Sequence, residues 1–208
     1  RDWTFAITDP TGSPFISFTG KGSPAERITW NGISSTGELV QAAEDYPYLL
    51  TATDTLGNST VYKGLIPVDV LVIREGDRLK IKISSINCEP NTERLHLDNS
   101  EIGQKNLRIL SRLVEILNKY RIYKIVIEGH AVSEFWNIPA RAQREEVEEL
   151  QPLSKARADS VREYLVRNGI EAGRLSTIGL GGTQPIIPHS DIQNRWKNRR
   201  VEFILIRP

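Results

Sequence analysis

Over the first third of the chain, apolar and polar residues alternate in short runs. Trp3-Thr4-Phe5-Ala6-Ile7 and Tyr48-Leu49-Leu50-Thr51-Ala52 carry the period of two that sends successive side chains to opposite faces of a strand. Turn formers bound these runs: Asp9-Pro10-Thr11-Gly12, Asn31-Gly32, Thr36-Gly37 and Leu56-Gly57-Asn58. Short strands at this spacing predict a small all-β sandwich over residues 1–72. Asn31-Gly32 predicts a two-residue hairpin, because both residues tolerate positive φ.

Past residue 72 the period changes. Leu79, Ile81 and Ile83 alternate with Lys80 and Lys82, as in a half-buried strand. Leu107, Leu110, Leu113, Val114 and Leu117 then recur at helical spacing, with Lys119 suited to the negative end of that helix. Ile125-Val126-Ile127 is a short buried strand. Ser154 is placed as the N-cap of a helix carrying Ala158, Val161 and Leu165, and Gly169 ends it. Two more strands follow, from Leu175 to Gly179 and from Arg200 to Ile206, with a short helix near Ile192–Lys197 between them. The order βαβαβ(α)β over 73–208 predicts an α+β domain with helices packed on a sheet. Within it, a segment at about 133–152 exceeds what a compact crossover needs. Pro139 suits a helix start there, with Arg141, Arg144, Glu145, Glu146, Glu148 and Glu149 outward and Ala140, Val147 and Leu150 inward. Preceded by Phe135 and Trp136, it is an inserted helical lid or brace.

Charge supports the division. The 208 residues hold 27 Lys+Arg and 26 Asp+Glu. Residues 1–72 contain 4 of the former and 8 of the latter, leaving 23 and 18 for the rest. A net charge of +1 is too small for a generic polyanion binder, so no nucleic-acid partner is expected. No apolar run is long enough for a transmembrane segment, and residues 1–20 carry no signal-like stretch. A single cysteine, Cys88, excludes an internal disulfide framework. The chain is then either cytosolic or exported, with its targeting segment lying elsewhere. Val68 to Arg74 holds no Gly/Ser linker, so the two domains are expected to pack closely.

A set of residues in the second region resembles the OmpA-like C-terminal domain, the family that tethers bacterial outer membranes to peptidoglycan. They are Glu128-Gly129-His130, Leu153-Ser154-Lys155-Ala156-Arg157-Ala158, Gly169-Ile170 with Arg174, Gly179-Leu180-Gly181 with Gln184-Pro185-Ile186, and Asn198-Arg199-Arg200-Val201-Glu202-Phe203. In order and rough spacing they cover residues 77–208. The resemblance implies a mixed sheet and a place on the periplasmic face of the cell envelope, associated with the outer membrane. Trp30-Asn31-Gly32, Tyr46 to Tyr48 and Ala52-Thr53-Asp54 with Gly57-Asn58 resemble the immunoglobulin-like module of flagellar hook-capping proteins. That likeness implies a spacer or docking module.

In the OmpA-like family, an aspartate two residues after the Gly-His pair receives the ammonium of a diaminopimelate residue. The arginine of Leu-Ser-x-x-Arg receives its carboxylate through a forked guanidinium. This chain keeps the arginine, as Arg157, but has Val132 where the aspartate is expected. Valine neither accepts a hydrogen bond nor balances a charge. The family's asparagine three residues before the motif leucine is here Leu150. Glu134, in the inserted segment, is the candidate substitute acid. Arg157 is also readable as a helix-face arginine paired with a neighbouring acid, and Glu134 as a solvated loop residue.

Other features invite chemistry less strongly. His130 follows a strand without a nucleophile, as a turn histidine bonded to backbone would. His96, His130 and His189 lack metal-ligand spacing, so no metal or cofactor is expected. Gly179-Leu180-Gly181-Gly182 lacks the Lys-Ser/Thr of a phosphate cradle and fits a positive-φ turn. Arg195, Lys197, Arg199 and Arg200 form a basic cluster, in which alternation separates Arg199 from Arg200, and a salt bridge to Glu202 or Asp191 is expected. The acidic turns Asp9–Gly12 and Asp54–Asn58 have too few ligands for a calcium loop.

Three functions follow. One is a non-enzymatic envelope protein whose peptidoglycan site is degenerate, serving a structural or partner-binding role. Another is a working peptidoglycan anchor using Arg157 and a substitute acid such as Glu134. The third, a hydrolase using carboxylates of Glu145–Glu149, requires two acids whose pKa values are pushed apart. No turnover is expected.

Overall fold

A computed structural model describes every residue except 43, 70, 71, 77, 84, 85, 87, 89–91 and 208, and all side chains in its strands and helices except that of Lys82. It divides into two compact units, Arg1–Asp69 and Val70–Pro208. The junction at 68–74 includes positions outside the described residues.

The first unit is all-β. Strands β1 (Asp2–Thr8), β2 (Pro14–Lys21), β3 (Asp45–Thr53) and β4 (Ser59–Pro67) form an antiparallel sheet in the order β2-β1-β3-β4. Trp30 and Val40, from the stretch between β2 and β3, join its core: Trp30 meets the rings of Phe15 and Tyr46 at 5.9 and 6.2 Å, and Val40 is buried. The expected Asn31-Gly32 hairpin is displaced. Gly32 does adopt φ +77°, but the reversal falls at Ser34–Glu38, beside the Ile33–Leu39 bridge. There Ser34 Oγ accepts the N–H of Thr36 and Glu38 at 3.2 and 2.9 Å, which fixes the turn. Asp9 and Asp54 accept the corresponding N–H groups in the same way, so both acidic stretches are hydrogen-bonded turns.

The second unit is α+β. Its sheet runs β5 (Ile73–Glu75), β6 (Arg78–Ile83), β9 (Val201–Ile206), β7 (Lys124–Gly129), β8 (Leu175–Gly179). Only β7 and β8 are parallel, so the sheet is mixed. Helix α1 spans Glu101–Lys119, and the Ser100 hydroxyl accepts the Gly103 N–H at 3.1 Å to cap its start. Arg174 closes its end by donating to the carbonyls of Leu117, Tyr120 and Tyr123 at 3.3, 2.8 and 3.1 Å. Register aligns Ile81, Phe203 and Ile127, and likewise Leu205 and Ile125, in an inaccessible row that forms the core with Leu110, Leu113, Ala158, Val161 and Leu165.

One helical run extends from Pro139 to Arg167: α2 (Pro139–Glu145), a π-turn (Glu146–Leu150) and α3 (Gln151–Arg167). Ser154 is therefore inside a helix and not at its cap. Its hydroxyl donates to Gln151 O at 3.1 Å and accepts the Gly181 N–H at 3.0 Å. Helix α3 lies on the ends of β7 and β8 at glycines. A Cβ on Gly129 would collide with the Ser154 carbonyl, and one on Gly179 would lie 2.6 Å from Lys155 N. Gly129→Ala should destabilise the unit by about 1–3 kcal/mol through this overlap, read as a lower urea midpoint; an unchanged midpoint would show that the helix yields freely.

Candidate functional site

The chain from Ala131 to Ser133 leaves β7, turns beside Gly181 and Gly182 beyond β8, and meets the π-turn. Ala131 N–H donates to Gly181 O at 2.7 Å, and Leu180 N–H to Gly129 O at 2.9 Å. The point a Gly182 Cβ would occupy is 3.4 Å from each of Ser133 N, Leu150 Cδ1 and Glu146 Oε2. The structure thus brings Leu150 close to the residue following Val132. Leu150 is buried and Val132 half-buried. The two side chains form a partly apolar surface there.

The π-turn changes which side chains point inward. Ala140 is exposed and Val147 is 62% exposed, whereas Glu145 is buried. The widened turn shifts the helical phase, so the sequence-based inner face holds only for Leu150. Glu145 accepts Ser133 Oγ–H at 2.6 Å and the N–H groups of Glu134 and Phe135 at 2.9 and 3.3 Å. Burial acts to raise its pKa, but these donors outweigh burial and hold the carboxyl below its usual range. Glu146 Oε2 accepts the Gly182 N–H at 2.8 Å, and its Oε1 is buried with no donor among the described residues. Simple helical periodicity hides both contacts. Glu148 pairs with Arg144 at 2.9 Å on the surface. These glutamates brace loops or sit exposed.

Glu134 and Arg157 are not brought together. Glu134 is 64% exposed and pairs with Arg195 at 3.1 Å, tying the loop after β7 to the last 3-10 turn. Arg157 donates its Nε–H to Thr92 O at 3.1 Å. Its charge also acts on Cys88, where burial nevertheless pushes the thiol pKa up. Leu150 and Arg157 are separated by about 10 Å of helix rise.

The motif at the start of β9 is structural. Asn198, fully buried, accepts the N–H groups of Ile186 and Ile187 at 2.9 Å and donates to Ile187 O at 2.8 Å. Arg199 is exposed, while Arg200 is buried and pairs with Glu202 at 2.7 Å, as expected. Asp191 instead holds Asn194. Lys80 lies 2.5 Å from the other oxygen of Glu202. Burial works against the Glu202 charge, but the two cations hold its pKa below the usual range. Glu128, opposite Glu202 in the register, has its pKa raised by burial.

His130 beside this cluster differs from its expected backbone-bonded role. It is 3% exposed, and neither ring nitrogen has a hydrogen-bond partner among the described residues. Burial, reinforced by Arg200, pulls its pKa down to about 4.

The sequence matches the OmpA family over residues 96–199, half of the chain. The chain belongs to the OmpA family. It is 34% identical over 103 residues to a peptidoglycan-associated lipoprotein of Mesorhizobium japonicum, covering 50% of this chain and 55% of that one. It is 30% identical over 111 residues to the peptidoglycan-binding protein ArfA of Mycobacterium bovis, covering 52% and 30% of the respective chains. The match therefore spans about half of one relative and less than a third of the other. A MotB-like protein of Desulfovibrio vulgaris has a similar fold, with a TM-score of 0.51 at 24% identity, over 67% of this chain and 82% of that one.

The neutral, buried His130 gives a pH prediction. From about pH 6.5 down to about 4, an unfolded histidine takes up a proton that the folded one refuses, so stability falls across this window by about 3 kcal/mol. Relative to its own stability at pH 7.5, His130→Gln should lose that much less by pH 4 in urea titrations. Parallel pH profiles for the two proteins would refute the assignment.

Proposed function

We propose that this chain is a non-enzymatic cell-envelope protein on the periplasmic side, associated with the outer membrane, whose OmpA-family domain has a degenerate peptidoglycan site. It serves a structural or partner-binding role, and its hold on diaminopimelate is weak or lost. The first unit is an immunoglobulin-like spacer or docking module. The relatives' names, peptidoglycan-associated and peptidoglycan-binding, support the compartment and the ancestral ligand. The observation carrying the reading is Val132 at the acid's position, with the candidate replacement Glu134 already paired to Arg195. Loss of one partner from a desolvated ion pair commonly costs about 2–5 kcal/mol. That is about 30- to 4000-fold in affinity, beyond what a moderate tether can absorb.

A second reading, a working anchor, gains one support. Glu146 brings a carboxylate to the neighbourhood of Ser133 despite the valine. About 16 Å of helix rise separates it from Arg157, so the two grip different groups of a stem peptide if both bind.

The test titrates diaminopimelate and purified peptidoglycan against the chain. Because 139–167 is one helical run, substitution is a cleaner intervention than deleting the insertion. The native protein should show no saturable binding of diaminopimelate, and Val132→Asp with Leu150→Asn should bind at least about tenfold more tightly. Saturable binding by the native protein, lost in Arg157→Ala, would overturn the degenerate-site reading in favour of the anchor.

A further inference from the structure

On the sheet, Glu128 and Glu202 stand opposite each other on β7 and β9, and His130 follows Glu128 by two residues. One potential ligand atom from each of the three lies within 4.8 Å of the other two. We propose that Glu128, His130 and Glu202 form a binding site for a divalent first-row transition metal, with Zn²⁺ as its probe. An imidazole with two carboxylate oxygens is a donor set that zinc accepts, at about 2.0–2.2 Å from each ligand, so the side chains close by a few tenths of an ångström or more.

Two independent features point to a cation. First, His130 is only 3% exposed, yet both ring nitrogens lack a partner among the described residues. A buried imidazole left without a hydrogen bond is costly, and a metal ion satisfies the acceptor nitrogen directly. Second, Glu128 and Glu202 sit directly across an antiparallel pair, so the site favours positive charge, which Lys80 and Arg200 now supply. Arg200 Nε holds Glu202 Oε1 at 2.7 Å. The second oxygen, Oε2, lies 2.5 Å from Lys80 Nζ, and this ion pair is the contact a metal replaces.

Lys80 is the occupant that zinc must displace. Its ammonium already lies 3.6 Å from Glu75 Oε2, so it has a second carboxylate to move to. Among the described side chains, Arg200 and Arg78 also act on Glu128, and Lys82 stands opposite Glu202 in the register. With Lys80 turned toward Glu75, the site would hold two carboxylates, a neutral imidazole, Arg200 and the metal. The ion would then cross-link β7 and β9 beside the end of β7. This site involves neither Val132 nor Arg157 and is independent of peptidoglycan binding.

The experiment titrates Zn²⁺ into the full chain at neutral pH, followed by NMR of the histidine rings and by calorimetry. His130 ring signals should shift saturably, with a single zinc bound per chain at this site. Lys80→Met, which removes the competing ammonium, should tighten binding at least about tenfold, and adding His130→Gln to it should abolish that gain. If only the His96 and His189 signals move in the native chain, the proposal is overturned without recourse to a variant. It is equally overturned if Lys80→Met binds zinc no better than the double variant.

Discussion

Two glycines, Gly129 at the end of β7 and Gly179 at the end of β8, let the backbone of α3 lie directly on the sheet. Any side chain there would lift the helix. This contact lets Ser154 Oγ reach the Gly181 N–H, and that bond helps hold the turn beyond β8 against the start of the loop beyond β7. The positions of Leu150 and Arg157 then follow from helix geometry. This corner of the domain is therefore built by close packing, while its chemistry depends on what the loops and the π-turn place around it.

Those surroundings are dominated by carboxylates with partners inside the domain. Glu145 holds the Ser133–Phe135 loop, Glu146 holds Gly182, and Glu134 is paired with Arg195. Each has a structural partner, and Val132 adds no acceptor. Glu145 is ionised because the donors around it outweigh its burial, so it is poorly suited to act as a neutral acid. The carboxylates of the inserted segment thus account for its architecture more readily than for catalysis.

Much of this was legible in the residues. Alternation placed β6, β7 and β9, and helical spacing placed α1 and the buried side of α3. The separation of Arg199 from Arg200 followed from the same period of two. Three features went unread. The π-turn shifts the helical phase, turning Glu145 inward and Val147 outward, and an amphipathic reading assumes a constant period. The Glu134–Arg195 pair joins residues 61 positions apart, which no local pattern encodes. Asn31-Gly32 has hairpin chemistry, but Asn31 Oδ1 accepts the Ile33 N–H whereas Ser34 Oγ accepts those of both Thr36 and Glu38, and the turn formed there. That signal was present: Asp9, Ser34 and Asp54 each precede a glycine by three residues, and each accepts the same pair of N–H groups.

On the proposed reading, hydrocarbon has replaced the anion that would meet the ligand amine. Mapping backbone and arginine side-chain NMR shifts during addition of a diaminopimelate-containing stem peptide tests this most directly. Signals from Ala131 to Ser133 and Arg157 Nε–H should remain in place, or move without approaching saturation. A saturable shift converging on those residues, with Glu134 or Glu146 moving in step, would contradict it.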